Sequence, residues 1–369
     1  MAAHRKKLEI EDIDKNFKSA RPSQENLVWV DAFDRRFALR GLAWLGENRR
    51  QKSFRRLPDR AADRLSEGVQ NLSYCPSSAF LSFKTDASRI VSRITLDSCR
   101  PMLHMPLTGN AGGELYFKNE NLWQPVATAV PQAGELITIA ELISNLPKKE
   151  REYRFYLPLY SHLAKVELAF DRAAKLAPLP AAKNTRRLFF YGTSITQGGC
   201  ANTAGSDFVS IVGRNLDAEV INFGFSGNGR GEPEVAELIR EIDAEIFILD
   251  HAGNCGGRNF PKTLPKFIKI LREKHPVTPI VIASCPPTDR LLWGSEEREV
   301  RDGLRDTCIE TYVRLKKRGD KNLYFIDGDG LLPPGISGAY VDGVHPTSYG
   351  FKLMADGFTA HLAAIRSRY

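Results

Sequence analysis

The chain has 369 residues, 42% hydrophobic and 26% charged, with a formal net charge of +8; that balance excludes a disordered chain, and the length accommodates two domains that each bury a core. Lysine and arginine are spread along the whole length among many carboxylates, without a basic stripe interleaved with aromatics, so no nucleic-acid partner is expected. No stretch is long and apolar enough to span a membrane.

Residues 1–24 are charged and aperiodic and read as a lead-in; Met1 to Phe17 has no apolar core for a signal peptide. The six cysteines are far apart, with no Cys-x-x-Cys pair and no zinc spacing, and read as separate thiols of a reduced compartment. Together these features predict a cytoplasmic protein, with a secreted protein whose leader has been removed as the alternative. The one dense basic run, Arg49-Arg50-Gln51-Lys52-Ser53-Phe54-Arg55-Arg56, reads as a solvated face.

From 25 to 175 the texture is β. Ala79–Phe83, Arg89–Leu96, Glu114–Phe117, Glu135–Ile139 and Lys165–Phe170 alternate apolar with polar residues between Pro, Gly, Asn and Asp, which predicts antiparallel strands of a sandwich. The stretch Ala173–Asn184 is rich in proline and small residues with neither period, placing a linker at 176–185.

Beyond it, 186–369 alternates strands with helices. Strands are predicted at Arg187–Gly192, Glu219–Phe225, Glu245–Asp250, Pro279–Ser284 and Asn322–Asp327, and helices at Asp207–Leu216, Pro233–Glu241, Lys262–Lys274, Glu296–Lys317 and Thr347–Ile365. Such alternation predicts an α/β fold, a doubly wound parallel five-stranded sheet in three α/β/α layers.

The first of these strands stops at Gly192-Thr193-Ser194, a sharp turn that delivers a serine to the crevice at the sheet's carboxyl end, where the start of the next helix favours negative charge. A serine hydroxyl needs a base, and the base needs an orienting partner. Asp342-Gly343-Val344-His345, after the last strand, can aim a carboxylate and an imidazole at that edge, with His345 as general base and Asp342 holding its tautomer. Two further strand ends carry Gly224-Phe225-Ser226-Gly227-Asn228 and Gly253-Asn254, which can offer backbone and side-chain donors to an oxyanion beside the Ser194 N–H.

These four blocks, in their order along the chain, resemble the SGNH, or GDSL-like, esterase and lipase family. The resemblance implies a flavodoxin-like catalytic domain with Ser194 as nucleophile, Gly227 N–H and the Asn254 side chain as oxyanion donors, and His345 with Asp342 as base and orienter. The usual Gly-Asp-Ser-Leu is Gly-Thr-Ser-Ile here, and the asparagine block is shortened to Gly253-Asn254-Cys255. In the front half, Gly112-Gly113-Glu114-Leu115-Tyr116 and Arg151–Tyr160 resemble the jelly-roll-like sandwich of the Gly-x-Asp-Leu-Tyr subgroup, with Glu114 in place of its aspartate, a position expected to hold a turn.

Secondary candidates for substrate binding are His104, on a Pro- and Gly-bounded loop of the sandwich, His251 at the third strand end, and Arg230 and Arg258 beside the oxyanion segments. Cys200 and Cys255 lie near the proposed site but lack the neighbours of a thiol nucleophile. The expected activity is ester hydrolysis through an acyl-enzyme, with no cofactor and no metal, removing short acyl groups such as acetyl from a sugar or other small hydroxylated substrate. Transfer of the acyl group to an acceptor alcohol, or a carbohydrate-binding protein with an inactive hydrolase domain, are the alternatives. The sequence leaves the oligomeric state open.

Overall fold

The computed structural model describes residues 10–14, 22–179 and 187–369. Most of the expected lead-in and residues 180–185 of the expected linker lie outside the described residues. Leu176–Pro178, read from its proline as linker, is instead an edge strand paired antiparallel with Phe83–Thr85. Proline is tolerated at an edge, where its missing N–H leaves no ladder bond unmade.

The front half is a sandwich of two antiparallel sheets. One runs in the order Leu27–Asp31, His162–Asp171, Ile90–Ser98, Ile137–Ile143. The other runs Leu176–Pro178, Phe80–Thr85, Arg151–Tyr156, Gly113–Asn119, Leu122–Ala129, with Ala38–Arg40 also paired to Phe80–Thr85. Ile90, Ile94 and Leu168 face Leu81, Phe83 and Phe155 across the core. The short Ala38–Arg40 strand and the proline-containing Leu122–Ala129 strand escaped the sequence reading because neither carries a clean apolar alternation.

A second departure is helical. Between Ala38–Arg40 and Phe80 the chain forms Leu45–Gln51, a 3₁₀ turn at Asp59–Arg64 and Glu67–Ser73. The Glu67–Ser73 helix is capped by Ser66, whose side chain accepts from the Val69 N–H. This excursion leaves the sandwich: Leu57, Ala61, Leu65 and Val69 pack into the same core as Phe189, Phe223 and Phe225 of the back half. The basic run it contains is solvated only in part: Arg50, Gln51 and Lys52 are exposed, while the rest turns inward. Arg49 donates to the Phe33 and Phe37 carbonyls, Arg55 is buried against Ser73, and Arg56 is only 1% exposed.

The back half has the expected five-stranded parallel sheet, in the order Glu219–Gly224, Arg187–Gly192, Ile246–Asp250, Ile280–Ala283, Leu323–Ile326. Alternate residues of each strand serve opposite faces. Leu188 and Phe190 pack with the helices Phe208–Asn215 and Ser348–Arg366, while Phe189 and Tyr191 pack with Pro233–Arg240, Phe260–Arg272 and Ser295–Lys317. A strand buried on both faces reads as a continuous apolar run, which is why these five were legible.

Polar contacts join the halves beneath the sheet's carboxyl edge. The Arg56 guanidinium donates to the carbonyls of Asn222 (2.7 Å), Gly224 (2.8 Å) and Leu72 (2.8 Å) and lies 4.6 Å from the Phe225 ring centroid. Ser78 donates to Asp207 at 2.9 Å and accepts from Asn222 at 2.9 Å. Glu114 does hold a turn, but one in the other half: it accepts from the Gly205 N–H at 2.9 Å.

Replacing Arg56 by Met removes three charge-assisted hydrogen bonds and leaves buried carbonyls unpaired, so urea denaturation is expected to show a loss of roughly 2 kcal/mol or more. Arg56→Lys, which keeps the charge, should recover part of it.

Candidate active site

Ser194 begins a single helical turn, Ser194–Gln197, directly after the first parallel strand. Thr193 caps it: its side chain accepts from the Ile195 N–H, and its own N–H donates to Thr196 Oγ1 at 3.1 Å. Behind that cap, Thr196 Oγ1 donates to the buried Asp250 carboxylate at 2.9 Å. The turn packs so closely on the neighbouring strand end that a Cβ on Gly224 would stand 2.1 Å from the Gln197 nitrogen, so only glycine fits there. With one turn of helix, the electrostatic help at Ser194 comes from individual N–H groups rather than a macrodipole.

Ser194 Oγ lies 2.9 Å from His345 Nε2, and His345 Nδ1 lies 2.8 Å from Asp342 Oδ2. The Asp342–His345 turn is built for this. Asp342 Oδ1 accepts the N–H groups of Val344 (3.0 Å) and His345 (2.8 Å), while Gly343 takes φ +80, the left-handed region that suits glycine. The His345 carbonyl accepts from the Val341 N–H at 2.9 Å and closes the loop just before the Thr347-capped final helix.

The two carboxylates near Ser194 differ sharply. Partial burial alone would raise Asp342, but the hydrogen bonds from the His345 N–H, the His345 ring and the Val344 N–H outweigh it and hold the carboxyl down at about 2. Asp250 is buried with the Thr196 hydroxyl as its one opposing influence, and burial pushes it up to about 7. Asp342 is thus held ionised beside the His345 ring, and Asp250 anchors the serine turn.

Asn254 lies on the loop after Ile246–Asp250, half-buried, with Nδ2 donating to the Phe225 carbonyl at 3.0 Å. Gly227 is exposed, at φ +65, on a turn pinned by the Ser226 N–H to Gln197 Oε1 at 3.0 Å and by Arg230 Nε to its own carbonyl at 2.9 Å. Ser194 and Asn254 share the wall of a cavity of about 550 Å³ with Ile195, Pro286, Leu291 and Val344.

His104 reaches the site: its ring centroid is 5.6 Å from that of His345. His251 does not. It is 1% exposed, packed against Tyr191, Phe260 and Phe267, and burial takes its pKa down to about 3, so the expectation that it lines the pocket is corrected: its side chain enters the core. Arg230 is exposed and occupied with the Gly227 carbonyl, and Arg258 is exposed on the loop beyond; the arginines bordering the cavity are Arg290 and Arg301. Tyr160 and Arg56 were also missed. Tyr160 Oη donates to the Ser194 carbonyl at 3.1 Å from the sandwich side. Neither residue lies in a motif that assigns it a role, and backbone groups that each holds lie in the other half.

An α/β sheet with a serine, an imidazole and a carboxylate in line at its carboxyl edge defines a serine hydrolase architecture. Residues 185–363 match the GDSL-like Lipase/Acylhydrolase family, and 27–176 match the N-terminus of SGNH-hydrolase-type esterases. The chain belongs to this two-domain SGNH group and is a carboxylic ester hydrolase by class. The sequence matches no curated protein. Among solved structures, it is similar to a protein described as a GDSL-like lipase from Bacteroides ovatus, at 28% identity and TM-score 0.85, covering 93% of this chain and 98% of that one. A salicylyl-acyltransferase from a tetracycline biosynthetic pathway aligns over 93% and 98% at 20% identity and TM-score 0.73. A family two carbohydrate esterase from Clostridium thermocellum, in complex with cellohexaose, aligns over 78% and 92% at 17% identity and TM-score 0.57. The latter two show the shared fold.

Because the folded state depresses Asp342 from 3.8 to about 2, its carboxylate stabilises the fold above the unfolded value and loses that contribution as pH falls through the folded one. The stability difference between wild type and Asp342→Asn should be constant well above pH 3.8 and shrink as pH falls towards about 2, followed by denaturant melts at stepped pH.

Proposed function

We propose that the protein hydrolyses esters of a sugar or other small hydroxylated compound, removing short acyl groups such as acetyl through an acyl-enzyme on Ser194. The observation that carries this reading is the Ser194–His345–Asp342 line of hydrogen bonds, at 2.9 and 2.8 Å. Ser194 Oγ attacks the ester carbonyl carbon as its proton passes to His345 Nε2, and Asp342 stabilises the imidazolium at Nδ1. The oxyanion takes hydrogen bonds from the Ser194 N–H, the Gly227 N–H and the Asn254 amide. Collapse breaks the bond to the alcohol oxygen, which leaves with the proton from Nε2; water then attacks the acyl-enzyme through the same base and frees the acid.

The cavity beside Ser194 supports a hydroxylated substrate. Among its lining, Leu291, Val300 and Leu304 suit the apolar face of a sugar ring, and Thr288, Arg290 and Arg301 suit hydroxyls. The Arg301 guanidinium is held at this wall by the Cys285 carbonyl, Asp302 and Asp329. His104, from the sandwich, is proposed to close the site on the His345 side.

Ser194→Ala should lower turnover of a short-chain chromogenic acetyl ester by about 10⁴-fold or more and abolish covalent labelling by a fluorophosphonate. Labelling retained in that variant would remove Ser194 from its role. Asn254→Ala is expected to lower kcat by about 10²–10³-fold with KM little changed. Product analysis with added sugar alcohols separates hydrolysis from transfer: acylated acceptor in place of free acid would make the same site an O-acyltransferase.

A further inference from the structure

Three elements far apart in sequence converge on the ring of His345. The sandwich loop brings His104, and the turn after the nucleophile helix brings Cys200. One donor atom from each of His104, Cys200 and His345 lies within 4.8 Å of the others. The set contains two nitrogens, one sulfur and no carboxylate, the donor chemistry of zinc and related soft or borderline divalent ions rather than of magnesium or calcium.

Two further features suit a metal. Asp342 accepts from His345 Nδ1 at 2.8 Å, which leaves Nε2, now hydrogen-bonded to Ser194 Oγ at 2.9 Å, as the ring nitrogen with a lone pair for a metal. That carboxylate–imidazole arrangement is the one metal-bound histidines use to fix their tautomer. Cys200 is buried with φ +73, a left-handed conformation uncommon for a residue with a side chain, and the backbone there sets its position beside His345. In a tetrahedral zinc site the donor atoms stand roughly 3.3–3.8 Å apart. His104 is exposed, and rotation of its side chain can draw the wider present spread together.

We propose that His104, Cys200 and His345 form a reversible inhibitory site for Zn²⁺ or a similarly soft divalent ion, with the Ser194 hydroxyl or a water in the fourth position. Binding converts the Cys200 thiol to a thiolate and releases its proton to solvent; burial and the nearby Asp342 charge oppose this, and the ion's own charge favours it. A metal on Nε2 occupies the lone pair that must accept the Ser194 proton, so the loaded protein cannot form the acyl-enzyme. The inhibition, though not the binding, rests on the proposed role of His345.

The test uses the full chain, with Zn²⁺ and Co²⁺ as probes. Zn²⁺ is expected to suppress turnover of the acetyl ester, a chelator to restore it, and Mg²⁺ to have no effect. Cys200→Ser, outside the proposed catalytic machinery, should keep its metal-free turnover and need at least about tenfold more Zn²⁺ for the same inhibition. Cys200→Gly, which suits the positive φ, replaces it if the serine variant does not fold. Co²⁺ should add a thiolate-to-metal charge-transfer absorption to the wild type that both variants lack. Equal Zn²⁺ sensitivity in wild type and a folded Cys200 variant, or no such absorption, overturns the proposal. Cobalt absorption from a protein that turns over no ester would uphold the site and overturn the hydrolytic reading instead.

Discussion

A guanidinium buried among backbone carbonyls links the two halves of this protein. Arg56 leaves water almost completely, and its partners are the carbonyls of Leu72, Asn222 and Gly224 with the face of Phe225. Burial lowers its pKa to about 10, so it still carries its charge at neutral pH. A charge in that setting tolerates little displacement, because each carbonyl it loses leaves an uncompensated buried ion. Two of those carbonyls end the strand that leads into the Phe225–Gly229 turn. The excursion around Arg56 therefore fixes the segment from which oxyanion donors are proposed to come.

The same logic extends around the site. Ser78 ties the Asp207 cap to Asn222, Glu114 holds the Gly205 turn, and Tyr160 braces the Ser194 carbonyl. Each of these side chains comes from the front half, while their partners belong to the back half. The sandwich thus acts as a structural part of the hydrolase, and the shared apolar core of Leu57, Leu65 and Val69 with Phe223 and Phe225 makes the joint rigid. His104 sits on the same side, so the wall around His345 is also a product of the interface.

Within the crevice, environment separates two acids of one residue type. Asp342 is partly exposed and takes three hydrogen bonds, which keep it ionised; Asp250 is buried with one hydroxyl donor and is held close to neutral. This separation distinguishes the carboxylate that can pair with an imidazolium from the one that anchors a turn. His251 follows the same rule: adjacent to Asp250 in sequence, it is driven into an aromatic cage where the charged form is excluded.

Local sequence determined the parallel strands, because each is buried on both faces and reads as a continuous apolar run, and the helices between them, whose period shows through a single amphipathic face. It also determined which residue types stand at the strand ends, since Ser194, Gly227, Asn254 and the Asp342–His345 pair each lie in a short turn whose residues carry their own local signal. Tertiary structure alone decided the direction of His251, the burial of Arg55 and Arg56 in a run that reads as solvated, the strand at Leu176–Pro178, and the arrival of His104 beside His345. Some of those partners are near in sequence, such as Phe260 for His251 and Ser73 for Arg55, and others are far, such as Asn222 for Arg56 and His345 for His104. No local period records such contacts: the His251 cage and the Leu176–Pro178 pairing exist only once their own half has folded, and the approach of His104 to His345 only once the sandwich has docked against the sheet.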